Sequence, residues 1–369
     1  MDMYDFKGEE SVRSPQLVYH VDLIRHNTRH LVEVAGSTKR LFPHVKSHKI
    51  REMVRMQIDE GIHNFKCSVL SELQMVAIEG AERALLAYPL VGPAVDDYLT
   101  LCTRYPQTEF LSTVDDVGAA MVLSSKALAK GIRAAVLIDV DPGMHRTGRS
   151  YEEVPIFAQK IVGLKGLELK GLHCYDGFYS VPSLVERKKN ARALIIRINS
   201  LKSNLLSSGM DMSLVVVGGS GTFPIYATES DFLLSPGTLF INDWGYESKF
   251  PDLDFTPAGE VLARVVSCPD DGYFTIDLGT KAIGAGRNGV SGRISGMSHI
   301  ESVFQNEEHW VFRMEKGHEN ERPMVGTVVH VVPWHICPTT NLYPYVLTVE
   351  DRRITGSWDV YARFRGIRA

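Results

Sequence analysis

The chain has 369 residues, 44% of them hydrophobic and 23% charged, which is long for one domain and apolar enough to bury a core in each of two units. A formal charge of -4, from 40 basic and 44 acidic residues with the signs interspersed, lacks the basic footprint of a nucleic-acid binder. Short basic runs such as Arg187-Lys188-Lys189 read as helix surface.

The amino terminus, Met1-Asp2-Met3-Tyr4-Asp5-Phe6, lacks the basic-then-apolar layout of a signal peptide, and no run of about 18 uncharged apolar residues occurs. Five cysteines, Cys67, Cys102, Cys174, Cys268 and Cys337, follow no repeating interval, as expected of reduced thiols. Together these features predict a cytoplasmic protein with no membrane partner.

From residue 41 to about 245, short apolar runs alternate with amphipathic stretches, the pattern of strand-helix units and a parallel sheet. The strand candidates are 41–46, 65–69, 84–90, 109–114, 134–140, 169–175, 214–218 and 233–239. A helix such as Ser71 to Gly80 opens on a cap and closes on glycine. Eight such units predict an α/β fold, a (β/α)8 TIM barrel. A doubly wound sheet is the alternative, but Gly218-Gly219-Ser220-Gly221 comes late and no Gly-x-Gly-x-x-Gly follows the first strand. Beyond Pro251 the texture changes to alternating runs at 261–266, 273–278 and 325–332, separated by Gly, Pro and Asp clusters. The expected division is a barrel over 19–250 and a C-terminal antiparallel β domain over 251–369, with 1–18 packed on the latter.

Catalytic side chains of such a barrel gather at the carboxyl ends of its strands. Lys46 ends the first strand, where an amine in an apolar setting can form a Schiff base with pyridoxal phosphate. His44, on the same strand, joins the cofactor-contacting set. Lys49 is the competitor, and it is assigned to the following helix. The turns containing Ser220, Gly221 and Thr222, and Gly237 and Thr238, offer backbone N–H groups from adjacent loops to one phosphate, although either could be a plain turn. Arg146, in a glycine-bearing loop after strand five, can aim a guanidinium at the cofactor's phenolate or pair with a surface acid. His173 and Tyr175 share strand parity, so Tyr175 faces inward, either against a pyridine ring or as a core aromatic. Asp176, at the strand tip, is a candidate for touching substrate or metal-bound water. His335 and Cys337, if the segment is extended, lie on one face and can bind one ion, leaving positions open for water and substrate. A lone His-x-Cys is a poor metal signal by itself.

These motifs, Pro43 to Lys49, Gly143 to Gly148, Tyr175-Asp176-Gly177, Ser235 to Thr238 and His335 to Thr339, together with Asp277 to Ala282 and Glu307-Glu308-His309, resemble the D-threonine aldolase and D-serine dehydratase family. That family lies within the alanine-racemase-like, fold-type III pyridoxal phosphate enzymes. The resemblance runs through nearly the whole chain. It implies a homodimer whose active site is completed at the subunit interface, Lys46 as the Schiff-base lysine, Arg146 near the phenolate, and His335 with Cys337 as ligands of Zn²⁺ or Mn²⁺. Three departures stand out: Phe42 in place of an arginine, no histidine at Asp176-Gly177-Phe178, and Cys337 in place of the aspartate of several aldolases. The implied activity is a lyase on D-3-hydroxy amino acids, with retro-aldol cleavage to glycine and an aldehyde as first choice. Dehydration of D-serine or D-3-hydroxyaspartate to an oxoacid and ammonia is the alternative, followed by a racemase or a non-catalytic pyridoxal phosphate-binding protein.

Overall fold

The computed structural model describes residues 2–270, 272–286 and 289–368. The chain divides into two compact units, Met1–His30 with Thr238–Val360, and Leu31–Gly237 with Tyr361–Ala369. The first strand, β1 (Gln16–His20), belongs to the former unit, and helix α1 (Val21–Ala35) runs across the first boundary.

The second unit begins its alternation with α2 (Arg51–Asp59). There follow β2 (Asn64–Cys67), α3 (Leu70–Ile78), β3 (Arg83–Leu86), α4 (Ala94–Arg104), β4 (Glu109–Val114), α5 (Val117–Ala129) and β5 (Ala134–Val140). The series continues through α6 (Val154–Val162), β6 (Leu167–Cys174), α7 (Leu184–Ser207), β7 (Leu214–Val217), α8 (Phe223–Glu229) and β8 (Leu233–Leu234). The seven strands pair in parallel in chain order. Ala84, Leu85 and Leu86 of β3 and all seven residues of β5 are buried, which is why these strands read as apolar runs in the sequence, broken in β5 only by Asp139. Phe42, Leu85, Leu111, Leu137 and Val216 cluster as one core.

The expected first strand, 41–46, forms no regular strand, and the expected last one, 233–239, keeps only Leu233–Leu234, with a 3-10 turn at Thr238–Phe240. Leu41 bridges Leu234 and His44 bridges Lys66, so the segment closes the ring between β8 and β2, but only through single bridges. The N–H groups of Phe42 and His44 donate to Leu234 and Pro236, both at 2.7 Å. Pro43 brings no N–H to the ladder, although its carbonyl accepts from Lys66 at 2.9 Å. After His44 the chain turns into a 3-10 turn, Val45–Ser47, that carries Lys46. The barrel is therefore closed, as expected, with one strand reduced to its contacts.

The other unit is one nine-stranded sheet formed by β1 and eight later strands. Short helix α9 (Trp244–Lys249) precedes β9 (Gly259–Ser267), β10 (Tyr273–Ile276), β11 (Gly292–Ile294), β12 (Ile300–Gln305) and β13 (Trp310–Met314). Next come β14 (Val328–Pro333), α10 (Ile336–Leu342), β15 (Tyr345–Glu350) and β16 (Arg353–Asp359). Pairing is antiparallel except between β1 and β15. Phe6, Val18, Leu262 and Val349 form its core cluster, so the N-terminal segment is part of this unit. The expected boundary near 250 moves to 237/238, and residues 361–368 return to the barrel unit. The N–H of Arg368 donates to Gln74 Oε1 of α3, a contact a sequence pattern has no means of announcing.

Candidate active site

A cavity of about 520 Å³ opens at the carboxyl ends of the barrel strands, within the size range of small-molecule sites. Its wall includes His44, Lys46, Lys66, Arg146, His173 and Tyr175. Each is placed by a local device. His44 precedes the 3-10 turn, and its Nδ1 accepts from the Lys46 N–H at 3.5 Å. Ser47 Oγ donates to the carbonyls of His44 and Gly237, tying the lysine turn to the last barrel turn.

Lys49, in left-handed backbone before α2 rather than within it, points Nζ at the buried carboxylate of Glu72, 2.5 Å away. Glu72 also accepts from the N–H of Ser68 at 2.6 Å. Lys49 is thereby committed to structure, and Lys46 is the lysine of this segment that lines the cavity.

A second lysine was not singled out from the sequence. Lys66 on β2 is 2% exposed, donates to Ser235 Oγ at 2.9 Å and lies 5.4 Å from the centre of the Tyr175 ring. Burial, reinforced by the charge of Lys46, pulls its amine down to about 7. The available signal was a lysine inside a strand buried on both faces, a placement lysine avoids unless it has a task.

His173 and Tyr175 reach the cavity together, as strand parity requires. His173 Nδ1 sits 2.7 Å from Asp139 Oδ1, whose other oxygen accepts from Thr147 Oγ1 at 2.7 Å. Burial and the nearby Lys66 hold the imidazole below its ordinary range, and its buried Nε2 has no hydrogen-bond partner among the described residues. The Asp139 carboxyl is held below the usual carboxylate range: burial raises it, but His173 and Thr147 outweigh burial. Burial, with Lys46 and Lys66, pushes His44 well down as well.

Arg146 comes from the loop 141–149. Asp141 Oδ1 accepts from the N–H groups of Gly143, Met144 and His145, and Arg149 donates its N–H to the Asp139 carbonyl. Gly148 closes that loop at φ 100, where a Cβ would lie 2.7 Å from the Asp141 nitrogen. The guanidinium carbon of Arg146 then sits 4.6 Å from the centre of the Tyr175 ring.

The two small-residue turns meet each other. Ser220 Oγ accepts from the Gly237 N–H at 3.0 Å, so that N–H is already engaged and is not a spare donor for a phosphate. A Cβ on Gly237 would lie 3.1 Å from the His44 carbonyl, and one on Gly219 would lie 3.1 Å from the Tyr175 ring. Arg187, read from the sequence as helix surface, is fully buried and donates from Nη1 to the Gly221 carbonyl at 2.8 Å. Thr238 begins the other unit, where its Oγ1 lies 3.7 Å from Cys337 Sγ.

Asp176 differs from its expected place. It is fully buried, does not line the cavity, and accepts from Thr222 Oγ1 at 3.1 Å and Tyr226 OH at 2.6 Å. Burial raises its carboxyl, against the pull of those two hydroxyls. The turn after β6 redirects it behind the 218–222 loop rather than into the mouth, so it positions Thr222 and α8.

His335 and Cys337 are also arranged otherwise than an extended segment would have them. His335 caps α10, and Cys337 lies in the first turn of that helix. Asp243, fully buried, accepts from His335 Nδ1 and from the Ile336 N–H, both at 3.0 Å. Burial lowers the His335 imidazole, but Cys337, hydrogen-bonded to it, and Asp243 outweigh this and push it up to about 10. With Nδ1 held by a carboxylate, Nε2 is the nitrogen left for an ion, an orientation common at metal centres. An imidazole and a thiol backed by a buried carboxylate suit a divalent ion of zinc-like softness.

The alanine racemase N-terminal domain family matches residues 19–241. The chain belongs to this family. A serine dehydratase domain family matches residues 258–349, within the β unit. The chain is 28% identical to D-threonine aldolase from Arthrobacter sp over 329 residues, 88% of this chain and 85% of that protein. It is 25% identical over 374 residues to 3-hydroxy-D-aspartate aldolase from Paracoccus denitrificans (strain Pd 1222), covering 97% and 94%. The fold superposes on D-threonine aldolase from Filomicrobium marinum with a TM-score of 0.86, 24% identity and 96% of each chain covered. It superposes on D-threo-3-hydroxyaspartate dehydratase from Delftia sp. HT23 at 0.82, with 20% identity over 98% of this chain and all of that one. The resemblance read from the motifs is borne out, as is the barrel with a C-terminal β domain. No helix among the described residues is long and apolar enough to cross a membrane.

Proposed function

We propose that the protein is a pyridoxal phosphate- and divalent-metal-dependent lyase of D-3-hydroxy amino acids, and that its reaction is retro-aldol cleavage to glycine and an aldehyde. One observation carries this reading. Lys46, Lys66 and Arg146 converge on a cavity whose imidazole, His173, has an unpartnered buried nitrogen and is backed by the Asp139 carboxylate. That setting complements an anionic, aromatic cofactor.

Pyridoxal phosphate supplies an electron sink that makes the bonds at an amino acid's Cα labile. Lys46 would be the attachment point, and Arg146, over the Tyr175 ring, would hold the phenolate side. His173, oriented by Asp139, would present Nε2 to the cofactor, and His44 fixes the lysine turn. The 218–222 loop, held by Arg187 and Asp176, would seat the phosphate through Ser220, Gly221 and Thr222, with Gly237 locking Ser220 in place. Lys66, with its amine near neutrality, is suited to accept or return a proton.

A divalent ion, Zn²⁺ or Mn²⁺, would polarise the substrate's 3-hydroxyl. His335 and Cys337 would hold it, with Asp243 orienting the imidazole. The working form is a homodimer in which the β unit of one chain serves the cavity of the other, a reading that rests on the family resemblance and that sedimentation measures directly. Dehydration is the second reading, favoured by the match of 258–349 to a serine dehydratase domain.

The deciding experiment is incubation with D-threonine and with D-serine in the presence of Mn²⁺ or Zn²⁺. Glycine with acetaldehyde is the expected outcome; oxoacid with ammonia would transfer the assignment to dehydration. A loaded protein that releases neither, and merely interconverts D- and L-forms or does nothing, overturns the lyase reading.

A further inference from the structure

A second cluster of metal-ligating groups lies in the β unit, apart from His335 and Cys337, and has no part in the chemistry above. Asp5 and Glu9 of the N-terminal segment and His330 of β14 bring one ligand atom each to within 4.8 Å of one another. His330 Nε2 is 3.3 Å from Glu9 Oε2 and 3.7 Å from Asp5 Oδ1. Donors bound at about 2.1 Å to one ion stand roughly 3–4 Å apart, so these separations already match a shared centre.

Acidic side chains near a histidine are common, and the case rests on what lies behind them. Glu260 on β9 is fully buried, and neither of its carboxylate oxygens has a hydrogen-bond partner among the described residues. It stands between two buried imidazoles, 3.2 Å from His330 Nδ1 and 3.8 Å from His20 Nε2, and both nitrogens likewise lack a hydrogen bond. Among the described residues, imidazoles are the only ion-pair partners of Asp5, Glu9 and Glu260. Three acids around one imidazole leave negative charge in excess even when that imidazole is itself charged, and buried charge in excess is costly.

The geometry supplies its own remedy. Glu260 at Nδ1 orients the His330 ring so that Nε2 faces Asp5 and Glu9, the carboxylate–histidine–metal order found in outer-shell support of ligands. The carboxylates are pre-set as well: Asp5 Oδ2 accepts from the Asp2 N–H at 2.7 Å, leaving Oδ1 toward the histidine, and Glu9 Oε2 accepts from the Phe6 N–H at 2.9 Å. Phe6 and Tyr4 pack over the two imidazoles, with ring centres 5.2–6.4 Å apart. Asp5 and Glu9 keep partial exposure, so water can complete the shell.

We propose that Asp5, Glu9 and His330 bind a second divalent cation, supported by Glu260, that fastens the N-terminal segment to β14. Two carboxylates and one imidazole favour a harder first-row ion such as Mn²⁺ over the softer preference of the His335–Cys337 pair. The site is structural: it closes the charge imbalance of a buried carboxylate and does not depend on whether the protein is a lyase.

Metal content after exhaustive chelation, reloading with MnCl2 and desalting tests it. Wild type is expected to retain two equivalents per chain. Asp5→Asn/Glu9→Gln, at partly exposed positions where folding is not at risk, should retain one, and His335→Ala/Cys337→Ala should retain the other. Mn²⁺ should raise the melting temperature of the His335→Ala/Cys337→Ala protein and leave that of the Asp5→Asn/Glu9→Gln protein carrying the same two alanines unchanged. Equal metal content in wild type and Asp5→Asn/Glu9→Gln, or no ion on the His335→Ala/Cys337→Ala protein, overturns the proposal. Neither result bears on turnover of D-threonine, so failure here and failure of the lyase reading are separate.

Discussion

Lys46, Lys49 and Lys66 are three lysines with three different settings. Lys46 lines the cavity, so Lys46→Ala should abolish the visible absorbance of the bound cofactor. Lys49→Ala should keep that absorbance while lowering stability by about 3–5 kcal/mol, because it strands the buried Glu72 carboxylate. If Lys49→Ala loses the absorbance and Lys46→Ala keeps it, the attachment point moves to Lys49. Lys66 makes a sharper demand. Its amine falls from 10.5 in an unfolded chain to about 7 when folded. Below pH 7 the folded apoprotein therefore carries a buried charge, at a cost of up to about 5 kcal/mol. Between pH 7 and 10.5 the unfolded chain binds the extra proton, so wild-type stability should rise with pH across that window. Lys66→Met, which removes the charge and keeps the stem, should be more stable than wild type at pH 6, with the gap closing toward pH 10. Parallel denaturation curves at the two pH values would show that Lys66 is not held near neutrality.

At the scale of elements, backbone proximity decides more than side-chain chemistry. In β6, Gly171 sits at φ 150 opposite Leu137, where β5 and β6 shift register. A Cβ there would lie 1.8 Å from the Leu214 carbonyl of β7. Gly171→Ala should fail to give folded protein, by far-UV circular dichroism or by aggregation on expression. Gly237→Ala meets the His44 backbone less harshly and should fold with weaker cofactor binding. Normal cofactor affinity in Gly237→Ala would separate that turn from the seat. Much of this level was legible in the sequence. Seven of the eight strand positions follow from apolar runs, because a strand covered on both faces can hardly be written otherwise. The eighth shrank to bridges because Pro43 interrupts the ladder, and Lys46 reached the cavity from a 3-10 turn rather than a strand end. His335 and Cys337 lie at the start of a helix rather than on the extended segment expected of them. Their helix is capped by Asp243, 93 positions earlier in the chain, and tightened by Thr339 and Thr340 hydroxyls donating to the carbonyls of His335 and Ile336. Asp176 was misplaced for a related reason: parity ends where a turn begins, and its partners Thr222 and Tyr226 lie in a distant part of the chain.

For the whole molecule, the cofactor-facing cavity and the His335–Cys337 pair are written into separate compact units. All the residues assigned to the cavity wall fall between 31 and 237, and His335 and Cys337 with the supporting Asp243 fall between 238 and 360. Removing the ligands from one unit should therefore leave the other unit's chemistry standing. His335→Ala/Cys337→Ala should lose turnover of D-threonine by several orders of magnitude, since nothing then polarises the hydroxyl, yet bind cofactor with unchanged visible absorbance. Because Asp5, Glu9 and His330 lie elsewhere in the β unit, their ion should be unaffected in that variant, and Mn²⁺ should still raise its melting temperature. Cys337→Asp should retain activity with its preference shifted from Zn²⁺ toward Mn²⁺, because a carboxylate is the harder ligand. Full turnover in the double variant would place the hydroxyl-polarising group elsewhere and leave the half-buried thiol and imidazole without a catalytic task. Loss of cofactor absorbance along with turnover would show instead that the ion is structural for both units, and that the separation of the two chemistries along the chain does not extend to their stability.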